Sequence, residues 1–418
     1  MLKGILLTSG SYYGSLAAAR MYHKHGLPVI LADHVPFNFC RSSRSVQKFY
    51  MAPSSEDLTS FAKWLLDFGA AMPGYFLYPT SDDLCWVIAK HRQKLKQFYV
   101  FDYPEISVIR NLLDKASLYQ MAATVGIDVP PSVLSSEIAT TNDTRLKYPV
   151  ILKPRTQAGM RSKVKGIVVR NPKELPSRIA EFRRLVVYDA EVIADLPDVA
   201  EPMIQKFFAS ARSSTYSLAG YISHDGRHFM VQASMKILQN PPNVGVGICF
   251  QSVPVVEDLA AKIRVFCQSV GYYGVFEAEF IREKSDGEEK FLLMDFNPRF
   301  YGQMAFEIQR GLPLPMCLLY DLQCREDELI KIQKNLSERK PEVTRFRHRV
   351  LLHILLCTQV LGGKMPVKTW LHWTKWANKR GFDPILDRKD LLPLFVDLMM
   401  MVRKFIRHPR SSFKHYFR

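Results

Sequence analysis

No stretch of this 418-residue chain reaches the run of about 18 apolar residues that a membrane-spanning helix needs, so an integral membrane protein is not expected. Its seven cysteines (Cys40, Cys85, Cys249, Cys267, Cys317, Cys324, Cys357) contain no C-x-x-C pair and are odd in number. That spacing argues against a zinc-thiolate site or a disulfide framework and fits reduced thiols. The start of the chain lacks the basic, long-apolar and small-residue order of a signal peptide and runs straight into an apolar strand pattern, which points to a cytoplasmic protein. A complete G-x-G-x-x-G is missing as well. Gly10 and Gly14 follow the first strand, but without the third glycine they read either as a dinucleotide turn or as an ordinary strand-to-helix turn. Asp33, ending the second strand, could meet a ribose or substrate or cap a helix.

Acidic residues are in short supply: 40 against 57 Lys plus Arg, a net charge of +17. Such a balance raises nucleic-acid binding as a possibility, but the excess is not spread along the chain. From Lys331 to Arg418 there are 20 Lys plus Arg and 6 Asp plus Glu, so 20 − 6 = +14 lies in the last fifth of the sequence. No nucleic-acid partner is expected. The same region holds the apolar run Leu391 to Val402, followed by Arg403, Lys404, Arg407, Arg410, Lys414 and Arg418 among Phe405, Phe413, Tyr416 and Phe417. An apolar helix with a basic flank suits peripheral contact, through 391–418, with an anionic membrane surface at the cytoplasmic face. It also suits a terminal helix packed on the rest of the protein.

What is present is an alternation of short apolar runs and helical patterns. Residues 1–110 read as a parallel α/β, Rossmann-like domain, with strands at 3–8, 28–32 and 75–79 and a helix at 16–25. Thr80-Ser81-Asp82-Asp83 ends the third strand with residues able to cap the next helix. A second domain, 111–325, opens with a predicted helix over 112–125 that Gly126 stops before Pro130-Pro131. Strands follow at 148–153, 166–170, 201–208 and 215–222, then a helix at 255–270. Residues 326–418 form a basic, mainly helical extension.

Two apolar strands, Gly274 to Ile281 and Phe291 to Arg299, flank Ser285-Asp286-Gly287 and read as a hairpin. With Gly287 at its centre, Glu279 faces Asp295 and Glu277 faces Asn297, and period-two alternation puts all of them on one face. Carboxylates directly opposite one another repel unless a cation lies between them. Magnesium suits such a set, since it takes one or two protein carboxylates, an amide oxygen and nucleotide phosphate oxygens. Arg299 extends the face as a forked donor for a phosphate. Lys153 ends the apolar strand 148–153, an unusual position for a lysine unless it meets an anion there or snorkels to solvent. Thr156 to Met160, with Gly159, has the small residues of a phosphate loop.

In this order the motifs resemble the ATP-grasp superfamily, in particular the carbamoyl phosphate synthase large subunit and D-aspartate ligase branch, over about residues 3–325. The resemblance rests on Asp114-Lys115, Gly126-Ile127-Asp128-Val129-Pro130, the strand ending at Lys153, the hairpin, and Asn297-Pro298-Arg299. It implies an α/β (α+β) protein with a Rossmann-like pre-domain, a two-lobed ATP-grasp domain and the basic extension. It also implies ATP and Mg2+ (or Mn2+) as cofactors. Lys115 and Lys153 would contact the phosphates and Gly159 would lie in the loop above them. Gln205, Lys206, Phe207 and Phe208, in the hinge 203–208, would receive adenine and ribose. Glu279, Asp295 and Asn297 would hold the metal, Arg299 would stabilise an acyl phosphate, and Lys236 would sit by the phosphates or substrate. Asp295 stands where the family usually has glutamate. The implied activity is an ADP-releasing carboxylate-amine ligase acting on small molecules. Carboxylation, phosphotransfer, thiol ligation or a non-catalytic nucleotide-binding regulator are the alternatives.

Overall fold

Four short strands, three of them apolar, build the first layer. β1 (Gly4–Thr8), β2 (Val29–Asp33), β3 (Lys48–Met51) and β4 (Tyr75–Leu77) pair in parallel in the order β3-β2-β1-β4. β1 and β2 are buried along their whole length, which explains their unbroken apolar sequences. The computed structural model describes residues 2–138, 143, 145–162, 164–212, 214–240, 246–285, 288–339, 342–363, 365–379 and 381–407.

Two antiparallel sheets follow. The smaller has the order β5-β8-β6-β7 and contains β5 (Ser132–Leu134), β6 (Val150–Lys153), β7 (Ile167–Val169) and β8 (Met203–Lys206). The larger runs β13-β12-β9-β10-β11-β14, from β9 (Thr215–Ile222), β10 (Phe229–Asn240), β11 (Val246–Val253), β12 (Gly274–Ser285), β13 (Glu288–Asn297) and β14 (Arg345–Arg347). The mixed α/β architecture expected from the sequence is therefore present: a parallel layer, then two antiparallel sheets, then helices.

One expectation needs correction. The single helix predicted over 112–125 is two helices, Ile106–Leu113 and Lys115–Thr124. They are split at Asp114, whose backbone leaves the helical region and whose carboxylate accepts from Ser117 Oγ at 2.9 Å and Ala116 N at 3.4 Å. An aspartate that captures the next turn's donors is a capping residue, and it makes Lys115 the first residue of a new helix. The basic extension is joined to the body. β14 adds a strand beside β11, and Asp390 accepts from Arg20 Nε at 2.9 Å and Ser43 Oγ at 2.6 Å in the first domain. No helix among the described residues is long and apolar enough to cross a membrane.

Candidate active site

The hairpin β12–β13 pairs Glu279 with Asp295 and Glu277 with Asn297, the register expected from alternation. The route to it differs from simple symmetry. Between Ser285↔Glu288 and Phe280↔Leu293 the ladder is one residue out of that register, and an irregularity beside Glu279 leaves Met294 without a paired residue, which restores it. This β-bulge re-aims the strand at the point where the charged residues begin. The turn residues Asp286 and Gly287 lie outside the described residues.

Asp295 Oδ1 accepts from Lys115 Nζ at 2.6 Å. Lys115 is 8% exposed, so it is not the surface charge that a mid-helix lysine would be. Its helix start is fixed twice over: Asp114 caps it and also takes Arg155 Nε and Nη2 at 2.8 and 2.7 Å, a bidentate pair from just beyond β6. Lys153 ends β6. Burial, then the charge of nearby Lys115, lower its pKa to about 8, against the pull of Asp295 and Glu279. Lys236, on β10, is buried and its charge also reaches Lys153. Lys165, which the sequence did not single out, is exposed to solvent, yet the charges of Glu279, Lys236 and Asp295 reach it. Lys115, Lys153 and Lys165 thus lie near two opposed carboxylates, with Lys236 close behind Lys153.

Glu277 is buried and accepts from Ser217 Oγ at 2.6 Å, from Asn297 Nδ2 at 3.2 Å and from Gln303 Nε2. Burial, then the charge of Glu279, pushes its carboxyl well above the usual range, which the Ser217 bond only partly offsets. A bound cation would relieve that repulsion. Among the described residues no group of three His, Cys, Asp or Glu side chains is disposed to hold a metal alone. The donor set Glu279, Asp295 and Asn297 fits Mg2+, whose remaining positions are commonly taken by phosphate oxygens and water.

Arg299 is held from several sides. Its Nε donates to Asp82 Oδ1 at 2.5 Å, Nη1 to Tyr12 Oη at 2.9 Å, and Nη2 to Asn297 Oδ1 at 2.9 Å. Burial opposes its charge, but Asp82, Tyr12 and Cys85 together outweigh burial and keep the pKa well above its ordinary value. Asp82 and Tyr12 come from the first domain, so this arginine ties that domain to the hairpin. The sequence reading of Thr80 to Asp83 as helix caps holds for Ser81, whose Oγ accepts from Leu84 N at 3.3 Å. It missed what the two aspartates do.

Asp83 Oδ1 accepts from Gly159 N at 2.8 Å, and burial raises the Asp83 pKa to about 7. The same contact involves the loop glycine, Gly159. Its amide is given to Asp83, its carbonyl accepts from Asp189 N at 2.7 Å, and a Cβ would lie 2.7 Å from Val192 Cγ2. The glycine serves a close chain crossing. Gly14 has a similar packing role, since a Cβ there would meet the Tyr301 carbonyl at 2.6 Å. Asp33 accepts from the Gly10 and Val35 amides, so it shapes its turn and caps no helix.

The hinge residues line a pocket between the two antiparallel sheets, with Ile151, Lys153, Lys236, Ile281 and Met294 on its walls. Gln205, Lys206, Phe207 and Phe208 all border it. Gln205 Nε2 donates to Tyr119 Oη at 2.9 Å, and Tyr119 Oη donates to the Met294 carbonyl at 3.1 Å, linking hinge to bulge. The Lys206 and Phe207 amides donate to Pro131 and Pro149 carbonyls, and Lys206 Nζ lies 3.4 Å from Glu283. Both amides are thus paired within the protein, and the pocket offers mainly apolar walls, with Lys153, Lys206 and Lys236 also lining it.

The chain matches no family model. Over 246 residues it is 22% identical to the D-aspartate ligase of Enterococcus faecium, an alignment that takes in 57% of this chain and 56% of that protein. The chain thus covers little more than half the length of that relative. Its structure is similar to the biotin carboxylase domain of the Hydrogenobacter thermophilus 2-oxoglutarate carboxylase, solved with MgADP, ADP and bicarbonate (TM-score 0.59, 14% identity, 76% of this chain and 70% of that one). An L-amino acid ligase from Bacillus licheniformis matches with TM-score 0.54 and 13% identity over 77% of this chain and 75% of its own. N5-carboxyaminoimidazole synthetase from Staphylococcus aureus, complexed with ADP, matches with TM-score 0.52 and 17% identity over 77% of this chain and 79% of that one.

Proposed function

On the ATP-grasp fold that this chain adopts, we propose that it is an ATP- and Mg-dependent carboxylate-amine ligase working through an acyl phosphate. The observation that carries the reading is the grouping of Lys115, Lys153 and Lys165 about Glu279 and Asp295, beside an apolar-walled pocket that Lys153 and Lys236 line. Positive charge exceeds negative there, which suits a polyphosphate whose base lies against Ile151, Phe208 and Met294.

A carboxylate oxygen of the acid attacks the γ-phosphorus while the bond to the β-γ bridging oxygen breaks, and ADP leaves with those electrons. The amine then attacks the acyl carbon and phosphate departs. The proton lost by nitrogen goes to phosphate or water. Lys153 and Lys236 neutralise charge on the transferring group, and Arg299, held by Asp82 and Tyr12, would add to that neutralisation. Glu279, Asp295 and Asn297 would hold Mg2+, which supplies charge neutralisation and in-line orientation of the phosphates.

Similarity to D-aspartate ligase and to an L-amino acid ligase favours C–N ligation. A carboxylase and a carboxyaminoimidazole synthetase among the structural neighbours keep carboxylation as the second reading. The test is Mg- and ATP-dependent ADP release across a matrix of small carboxylic acids and amines, with Asp295→Ala as control. Release that requires one acid and one amine together, and is lost in the variant, supports the ligase. Release with bicarbonate and one acceptor favours carboxylation, and absence of nucleotide binding defeats both.

A further inference from the structure

The helix Leu392–Arg407 buries Pro393, Val396 and Asp397 against the body, and Tyr13 Oη donates to both Asp397 oxygens at 3.3 Å. Leu392, Phe395, Met399, Val402 and Ile406 are 57, 56, 59, 58 and 71% exposed. Their 3-4-3-4 spacing places them in one stripe on a helix that turns about 100° per residue, roughly opposite the buried face. A continuous apolar stripe turned to solvent needs a partner. From Leu392 to Ile406 it extends about 21 Å at about 1.5 Å per residue, too short to cross a bilayer and long enough to lie along one.

Charge identifies the partner. Arg403 and Arg407 border the stripe, Lys404 lies beyond them, and all of these residues are exposed. The following residues 408–418 add Arg410, Lys414 and Arg418 to a region whose net charge is 20 − 6 = +14. A second copy of the chain would bring the same excess of cations to the same stripe, whereas phosphate headgroups would neutralise it. We propose that this helix is a docking element for anionic lipid at a membrane surface, with the apolar stripe in the headgroup boundary and the cations on lipid phosphates. The proposal stands apart from the nucleotide reading, since neither needs the other.

Vesicle co-sedimentation of the full chain tests it, using phosphatidylcholine alone and equimolar phosphatidylcholine with phosphatidylglycerol, at low and high salt. Pelleting is expected with the anionic vesicles, weakening as salt rises. Met399→Glu with Ile406→Glu is expected to lower binding by about tenfold or more. Arg403→Ala with Arg407→Ala, which leaves the stripe untouched, is expected to reduce binding several-fold and flatten its salt dependence. Failure of the wild type to pellet, or equal binding by wild type and both variants, overturns the proposal. So does a dimer in sedimentation velocity that Met399→Glu with Ile406→Glu splits, because it would give the stripe to a second copy.

Discussion

Lys115 Nζ and Asp295 Oδ1 lie 2.6 Å apart although 180 positions separate them in the chain. The pair joins the first turn of a helix to the hairpin face, and both partners belong to the candidate phosphate and metal site. Its value here is positional. Each side chain holds the other where a nucleotide and its metal would take over the contact.

Removing either partner should therefore damage turnover more than folding. Asp295→Ala and Lys115→Ala are each expected to lower kcat/KM for ATP by about 10²–10³-fold. Steady-state ADP release measures the loss, and thermal unfolding monitored by circular dichroism should show a much smaller effect. Loss of the fold with loss of activity would make the pair structural.

A pH dependence follows from Lys153, whose pKa is lowered to about 8 by burial and by Lys115. Phosphates bind the charged lysine, so nucleotide affinity should be at full strength below that pH and fall as pH rises through it. The decline should approach about tenfold per pH unit where this charge is required. Calorimetric ATP titrations above and below pH 8 check the sign, and Lys153→Met should be weaker throughout and nearly flat. The same shift affects stability in the opposite sense: the folding cost of burying this charge is present below about pH 8 and is relieved above it.

Asp82 positions Arg299 and is not itself expected to touch substrate. Asp82→Ala should lower kcat by about 10- to 100-fold while changing KM for ATP little, because the guanidinium loses one of the anchors that orient it. Arg299→Lys should not restore activity, since an ammonium cannot reach Asp82, Tyr12 and Asn297 together as the fork does. A rise in KM alone would place Asp82 with nucleotide binding instead.

Gly159 has φ of +61° and no room for a side chain, with Val192 Cγ2 2.7 Å and Asp189 Cβ 3.1 Å from a modest Cβ. Gly159→Ala should destabilise the protein by about 1–3 kcal/mol through backbone strain and crowding. Urea unfolding measures this. An unchanged midpoint would show that the crossing at 159 and 189 loosens at little cost.

The amino-acid sequence alone determined those features that depend on local periodicity and turn chemistry. Apolar runs bounded by turn residues marked β1, β2, β9 and the hairpin. Alternation brought Glu277, Glu279, Asp295 and Asn297 to one face, because side chains two apart on a strand share a side whatever the rest of the chain does. Lys153 stood out for a similar reason, as a charge ending a buried strand. Tertiary structure decided the rest. The break at Asp114 could be read as helix interior until Arg155 arrived to share its carboxylate, and that break is what turns Lys115 inward. Lys165, Asp82 and Asp83 have ordinary local surroundings and acquire their roles only from partners far along the chain. Gly159 reads as a phosphate-loop glycine by composition, and only the folded chain shows its amide on Asp83 and its backbone against Val192. Local patterns fix which face a side chain occupies, whereas long-range packing chooses what meets that face.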